Sequence, residues 1–204
     1  MPLTATAIRI QDRFVDALRP ADGIGPLLLR LYLAPIMLQA GWTKFAAFED
    51  TVAWFGNPDW GLGLPFPALL TLLAAGAELL GGLALLVGFA TRWFALPLIV
   101  TMLVAIFAVH WDNGWLAISD ASSWLANDRV LEAAERKARA IEILREHGNY
   151  RWLTGRGSIT ILNNGIEFAA TYLVMLISLL LTGGGRYTSI DYWLARRADA
   201  WRTA

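Results

Sequence analysis

The stretch LLTLLAAGAELLGGLALLVG, residues 69–88, is almost entirely apolar, yet it carries a carboxylate, Glu78, near its middle. The run is too long for an ordinary core helix, because about 20 apolar residues in a helix span the roughly 30 Å hydrocarbon layer of a bilayer. A carboxylate at that depth costs about 2.5–3.5 kcal/mol on insertion scales. The run therefore predicts a membrane-spanning helix, and Glu78 is the first candidate for a functional residue.

The composition of the whole chain is typical of a membrane protein. Of its 204 residues, 56% are hydrophobic, and ten are tryptophan. Lys plus Arg and Asp plus Glu are balanced at 17 each, which gives no electrostatic reason to expect binding to nucleic acid. The sequence contains no cysteine, so this chain itself carries no disulfide, thiolate metal site, iron–sulfur cluster or thiol relay.

Four apolar runs are long enough to predict membrane-spanning helices. They lie at about 24–42, 65–88, 93–110 and 163–182. Tryptophans stand at or just beyond the ends of the runs, as in an aromatic belt, and these are Trp42, Trp93, Trp111 and Trp193. Asn163 or Asn164 is placed to cap the fourth helix. The predicted fold class is an all-α membrane protein, a bundle of four transmembrane helices whose first three occupy 24–110.

Basic residues set the predicted orientation. The N-terminal segment 1–23, the turn after the second span and the C-terminal segment 183–204 together carry eight arginines. The segment 111–162 carries seven basic residues, which argues for the opposite orientation, but long loops cross the membrane largely regardless of charge. Because positive charge in short segments favours the cytoplasmic side, both termini are predicted to be cytoplasmic. In segment 1–23, Ile10, Phe14 and Leu18 recur at four-residue spacing among charged residues. This pattern predicts an amphipathic helix on the membrane surface rather than a signal peptide.

The long connection 111–162 predicts a small folded cap outside the membrane, inserted between the third and fourth spans. Asn127 and Gly148 flank a pattern typical of an amphipathic helix at about 127–147. The glycine-rich residues 154–157 lie between two short extended runs and predict a hairpin. Such a cap could cover a site, lie on the membrane or dock another protein.

Arg30 and Glu78 are predicted to form a pair. Counting helical rise places Arg30 roughly 9 Å and Glu78 roughly 15 Å from the same membrane surface. An arginine side chain can bridge that difference, so a neighbouring cation is the simplest explanation for the carboxylate. The pair could order the helices or line a proton path.

Lys44, His110 and Glu167 fall at the outer ends of three spans and could converge under the cap. In a half-dry pocket they could hold a quinone ring and move protons, with His110 as the natural proton carrier. Structural explanations compete, since Lys44 can snorkel to the interface and an acidic residue early in a helix is unremarkable. The candidate catalytic residues are His110, Glu78 and Glu167, and the candidate quinone-binding residues are Arg30, Lys44, Trp42 and Trp111.

Haem and metal cofactors are not indicated by the sequence. The chain has two histidines, and His147 lies in the predicted cap, far along the chain from the spans. No phosphate-binding glycine loop and no metal-type spacing of His and carboxylate residues occurs. Quinone is the cofactor that these residues suggest.

Three stretches resemble the DoxX family of small membrane proteins. RLYLAPIMLQAGWTKF, residues 30–45, resembles the family's first helix, GAELLGGLALLVGFATR, residues 76–92, its second helix and turn, and GGGRYTSIDYW, residues 183–193, its last-helix exit. The structural and turn residues of these motifs are Gly81, Gly82, Arg92, Gly185, Arg186 and Asp191. The insertion 111–162 departs from compact members of the family.

The resemblance implies a multi-pass protein of the bacterial inner membrane that takes part in redox chemistry, related to the small subunit of thiosulfate:quinone oxidoreductase. The leading hypothesis is a subunit that passes electrons from a soluble or membrane partner to the quinone pool. Whether the chain itself is an enzyme stays open. The small residues of the second span fit close packing within the chain or in a homodimer.

Two alternatives remain. The first is a scaffold without chemistry, whose cap 111–162 recruits a soluble redox or oxidative-stress protein. The second is a small proton-coupled transporter, which the lack of an evident internal repeat disfavours.

Overall fold

The computed structural model describes residues 3–202, whose regular elements are helices. They are α1 (Leu3–Leu18), α2 (Ile24–Ala46), α3 (Phe48–Gly56), α4 (Pro67–Val87), α5 (Thr91–Val104), α6 (Asp128–His147), α7 (Tyr150–Leu153), α8 (Glu167–Thr182) and α9 (Ile190–Arg202). Helix α5 continues through a π-helical segment, Ala105–His110, and a short 3-10 turn, Trp111–Asn113. The prediction of an all-α protein is confirmed for this part of the chain.

Within residues 3–202, three helices are long and apolar enough to cross a membrane, namely Ile24–Ala46, Pro67–Val87 and Thr91–Asn113. They correspond to the first three predicted spans. The fourth predicted span is represented by α8, which is apolar but has only 16 residues. It begins at Glu167, and Asn164 has a positive φ of 60°, so neither asparagine caps it.

The chain divides into two compact units. Unit 1 consists of the described parts of Met1–Thr101 and Val174–Ala204, and unit 2 is Met102–Leu173. The core of unit 1 lies where α2 packs against α4. Its most deeply buried apolar side chains come mainly from these two helices and from α5, and they include Leu33, Met37, Ala75, Leu85 and Leu98.

Glycines allow α2 and α4 to approach closely. A Cβ atom added at Gly41 would lie 2.8 Å from the backbone nitrogen of Leu79 and 2.9 Å from the carbonyl oxygen of Ala75. One added at Gly82 would lie 2.8 Å from the Leu38 side chain, and one at Gly81 would meet Leu98 at a similar distance. These small residues therefore serve packing within the chain, one of the two uses that their spacing predicts.

Replacing Gly41 with alanine should lower the free energy of unfolding by about 1–3 kcal/mol, because the new methyl group must push two helix backbones apart. Gly76 is the matched control, since no described residue lies within 4 Å of a Cβ added there. Gly76→Ala should be neutral or stabilise by up to about 1 kcal/mol through helix propensity. Thermal unfolding in detergent measures both variants, and equal melting temperatures would contradict a close approach at Gly41.

The helix predicted at about 127–147 is confirmed as α6. The Asn127 side chain accepts a hydrogen bond from the backbone N–H of Val130 at 3.1 Å, and Gly148 follows the last helical residue. This is the capping arrangement that the sequence predicts. Leu131 and Ile143 on this helix are 47% and 49% exposed.

The predicted hairpin around 154–157 is wrong. Tyr150–Leu153 forms the short helix α7, and a turn follows it. The Asn149 side chain accepts a hydrogen bond from the N–H of Trp152 at 3.2 Å. This local helix cap satisfies a backbone N–H group that a hairpin would have paired with a neighbouring strand. Within residues 3–202, extended pairing is limited to an isolated bridge between Ile118 and Leu162.

The N-terminal segment forms helix α1, and its apolar residues lie on the surface of unit 1. Ile10 and Phe14 are each 65% exposed, and Leu18 is 51% exposed. The amphipathic helix predicted from their spacing is thus present. An exposed apolar stripe of this kind suits the boundary between lipid headgroups and acyl chains.

Candidate functional site

Glu78 is buried inside unit 1 and is paired with Lys44. The Lys44 ammonium donates to both carboxylate oxygens, at 2.7 Å to Oε2 and 2.9 Å to Oε1. The Glu78 side chain is only 4% exposed, whereas that of Lys44 is 27% exposed. The apolar run tolerates its carboxylate because the Lys44 ammonium binds both oxygen atoms, while the lysine side chain itself stays partly exposed.

The packing of α2 on α4 sets the register of this ion pair. Gly41 lies directly against Ala75 and Leu79 of α4. Lys44 stands nearly one turn further along α2, and Glu78 lies on α4 between the two residues that Gly41 meets. A long lysine side chain can therefore reach the carboxylate with its stem against apolar surface.

The predicted Arg30–Glu78 pair is wrong. Arg30 is completely buried, but its guanidinium donates to backbone carbonyl oxygens: Nη1 to Leu85 at 2.9 Å and Leu86 at 3.4 Å, and Nη2 to Thr188 at 2.9 Å. Leu85 and Leu86 belong to the last turn of α4, where carbonyl groups lack the regular helical donor four residues on. The Leu85 carbonyl also accepts from the N–H of Gly88 at 3.2 Å. A cation there also interacts favourably with the helix dipole. Arg30 thus joins the end of α4 to the segment before α9.

Asp191 closes the turn between α4 and α5. Its carboxylate accepts hydrogen bonds from the N–H groups of Ala90 at 2.6 Å and Thr91 at 2.9 Å, and its own N–H donates to the carbonyl of Gly88 at 3.0 Å. Gly88 has a φ of 68°, and a side chain there would collide with Arg30. This position needs glycine for both its backbone conformation and its neighbour.

A cavity of about 570 Å³ adjoins this turn in unit 1. Four predicted motif residues line it, and they are Arg92, Gly185, Arg186 and Asp191. Arg92 donates to the carbonyl of Leu181 at 3.1 Å, at the end of α8. A side-chain hydrogen bond with Tyr192 raises the pKa of the Arg186 guanidinium above its usual value. The structure therefore brings these motif residues together around helix ends, whereas Gly81 and Gly82 act in helix packing.

His110 and Glu167 have backbone partners in unit 2. Nδ1 of His110 lies 2.8 Å from the carbonyl oxygen of Asn164, and Glu167 accepts a hydrogen bond from the N–H of Ala117 at 2.9 Å. These contacts fasten the segment between Ala117 and Glu167 to the helix ends that flank it. Lys44, the third member of the predicted cluster, has its partner Glu78 in unit 1.

The two candidate tryptophans are exposed on their own units. Trp42 is 62% exposed, with its ring 6.2 Å from that of Phe45. Trp111 is 56% exposed, with its ring 5.2 Å from that of Phe107. Each pair forms an aromatic surface that suits lipid or an apolar ligand.

The Lys44–Glu78 pair is the arrangement with the clearest chemical capacity. The ammonium can donate a hydrogen bond to a carbonyl oxygen, and the carboxylate can hold or return a proton. Within residues 3–202, no group of three His, Asp or Glu side chains is placed to hold a metal ion. The sequence analysis selected both members of the pair. It missed Thr188, because this residue acts through its backbone carbonyl, which accepts a hydrogen bond from Arg30, and no side-chain pattern indicates such a role.

Comparison with known proteins supports the resemblance noted in the sequence. The sequence model of the DoxX family matches residues 25–111. A Bacillus subtilis (strain 168) protein named "Putative oxidoreductase CatD" is 35% identical over 86 residues, which are 42% of this chain and 60% of that relative. The match therefore spans less than two thirds of the relative. No solved structure gives a significant match to the chain. Together with the three long apolar helices, these matches indicate a multi-pass membrane protein that contacts lipid.

Proposed function

We propose that this chain, a DoxX protein through its residues 25–111, is an integral membrane subunit of a redox system that interacts with quinone. The observation that carries the proposal is the Lys44–Glu78 pair, a hydrogen-bonded acid and base between two apolar helices. Ionisable groups within membrane spans usually mark a pathway or a site. The word oxidoreductase in the name of the Bacillus subtilis relative supports the reaction class.

In this proposal α8 also crosses the bilayer, which makes four spans in the bacterial inner membrane. Its 16 residues rise about 24 Å, a few ångströms less than the hydrocarbon thickness of about 30 Å. Local thinning of the bilayer accommodates such a mismatch at modest cost. Both termini then lie in the cytoplasm, α1 lies on the membrane surface, and the segment 111–162 forms an extramembrane cap.

The residues around Lys44 fit a quinone head group. A bound quinone supplies the electron-accepting chemistry, and a soluble or membrane partner supplies the electrons. Lys44, which is partly exposed, offers its ammonium to a carbonyl oxygen, and Glu78 holds that ammonium in place and can return a proton to it. Trp42 and Phe45, which flank Lys44 in the sequence and are 62% and 54% exposed, offer an apolar wall.

Quinone content tests this function directly. Protein purified in mild detergent should release about one quinone per chain on solvent extraction, and Glu78→Gln should release about ten-fold less, because it loses the charge that holds the donor. Glu49→Gln is the matched control, since Glu49 is exposed on α3. It should retain the full amount.

Two outcomes would contradict the redox proposal. A folded Glu78→Gln variant with unchanged quinone would reduce the Lys44–Glu78 pair to a structural role. Wild-type protein without quinone would favour a scaffold function.

For that function the supporting observation is α6, which presents the apolar side chains of Leu131 and Ile143 at its surface. A soluble redox or stress protein would then dock on this helix.

A further inference from the structure

A second cavity, of about 290 Å³, lies wholly within unit 2 beside the N-terminal half of α6. The side chains that matter for its chemistry are Ser119, Arg129, Glu132, Arg136 and Asn163. It lies outside the part of the chain that matches the DoxX family, residues 25–111. None of the residues assigned to the quinone proposal lines it.

Arg129 is held in position at this cavity by a buried amide. Asn163 is 1% exposed, and its Nδ2 donates to the carbonyl oxygens of Asn113 at 2.8 Å and Leu116 at 2.6 Å. These two contacts fix the amide so that Oδ1 accepts from Nε of Arg129 at 3.2 Å. The bond uses Nε, so the Nη1 and Nη2 groups remain available to a ligand as a planar pair of donors.

Ser119 lines the cavity, and its hydroxyl group is buried just behind the cavity surface. The residue is 7% exposed, and its Oγ has no hydrogen-bond partner among the residues that the structure describes. Its backbone N–H donates to the carbonyl of Ile161 at 2.9 Å, which fixes Ser119 against the segment that contains Ile161. Buried hydroxyl groups in proteins almost always have a partner. Because the Oγ is closed to solvent in this structure, rotation of the side chain is needed to bring it to an oxygen acceptor of a ligand.

The charges around the cavity leave an excess of one positive charge. Glu132 is engaged with Arg136 at 3.0 Å, which leaves Arg129 without a carboxylate partner among the cavity residues. The neighbouring Asp120 accepts hydrogen bonds from the N–H and the hydroxyl of Ser122, and these bonds lower the pKa of Asp120. Its charge is thus satisfied locally rather than by Arg129.

We propose that this cavity binds a small oxyanion, either a carboxylate or a tetrahedral oxyanion such as sulfate or phosphate. The fork of Arg129 matches two oxygen atoms of such a group, and the Arg136 guanidinium lines the same cavity and can reach a further oxygen. The Ser119 hydroxyl joins them after rotation of its side chain. The cavity volume of about 290 Å³ is at the lower end of the range for small-molecule sites, which suits a small ligand. The site makes the extramembrane segment a place for ligand binding, independent of any quinone.

The experiment is calorimetric titration of the full chain in an alkyl maltoside detergent and Tris chloride, which contain no competing oxyanion. Sulfate, inorganic phosphate and acetate are titrated separately, so that tetrahedral and planar oxyanions are distinguished, and chloride at equal ionic strength is the blank. Saturable binding of at least one oxyanion is expected. Arg129→Met should weaken it about ten-fold, the size expected for the loss of one charge-assisted pair of hydrogen bonds.

Two further variants keep the test decisive. Ser119→Ala removes the hydroxyl with almost no change in volume and should weaken binding by a smaller factor while the protein stays folded. Arg139→Met is the matched control, because Arg139 lies on the same helix, pairs with Glu142 at 2.8 Å and does not line the cavity. Absence of saturable binding to the wild type, or equal binding by the wild type and the folded Ser119→Ala and Arg129→Met variants, would overturn the proposal.

Discussion

Replacing Arg30 with methionine should lower the free energy of unfolding by about 2–4 kcal/mol, because the part-buried carbonyls of Leu86 and Thr188 lose a donor, and a carbonyl left without one costs about 1–3 kcal/mol. The guanidinium is fully buried and serves the carbonyls of Leu85, Leu86 and Thr188. Methionine fills much of the same space but donates nothing. The measurement is reversible unfolding in mixed micelles with increasing SDS, with helix content as the signal.

Arg92→Met is the control for this effect. Arg92 also donates to a carbonyl at a helix end, that of Leu181, but it is exposed, so water replaces the lost donor. Its loss should change the free energy of unfolding by no more than about 0.5 kcal/mol. Arg30→Lys should be intermediate, since one ammonium group cannot serve acceptors on both sides. Equal losses for Arg30→Met and Arg92→Met would show that Arg30 does not fasten α4.

Local sequence signals predicted the elements of this fold well. Long apolar runs marked α2, α4 and the helix that begins at Thr91, because burial in lipid requires length and apolarity that can be read from the sequence. The asparagine and glycine at the two ends of α6 marked that helix for an equally local reason. The hairpin prediction was wrong because glycines and short apolar runs fit both a turn after a short helix and a turn between strands.

The partner of Arg30 could not be predicted from the sequence. Its acceptors are backbone carbonyls, and every residue has one, so no side-chain pattern singles out Leu85 or Thr188. Depth counting placed Arg30 within reach of Glu78, but it gives no information on which direction a side chain takes around the helix axis. The guanidinium instead donates to carbonyl groups at the end of α4, which lack their regular helical donors.

The role of Asn163 was missed for a different reason. An asparagine just before an apolar run is a common helix cap, but its amide here fixes Arg129 and two carbonyl groups of unit 2. The dipeptide Asn164–Gly165 is a frequent turn signal, and Asn164 does take a positive φ. That signal could have placed the start of α8 later in the sequence.

The Lys44–Glu78 pair should show a strongly asymmetric response to substitution. Lys44→Met leaves a carboxylate that is 4% exposed without its cation, and breaking a buried ion pair from one side costs about 3–5 kcal/mol. Glu78→Leu leaves a lysine that is 27% exposed and can extend towards polar surroundings, so its cost should be below about 1 kcal/mol. SDS unfolding of both variants in the same micelles measures the difference.

The double variant Lys44→Met/Glu78→Leu distinguishes a role of this pair in stability from a role in quinone binding. Because a buried ion pair replaced by apolar side chains of similar size is often neutral or stabilising, the double variant should be about as stable as the wild type. The coupling energy in the cycle would then be about 3 kcal/mol or more, and additive losses would contradict the ion pair. A stable double variant also separates folding from chemistry. If it folds like the wild type but no longer binds quinone, the pair is present for the reaction, since stability alone gives no reason to keep two charges between apolar helices.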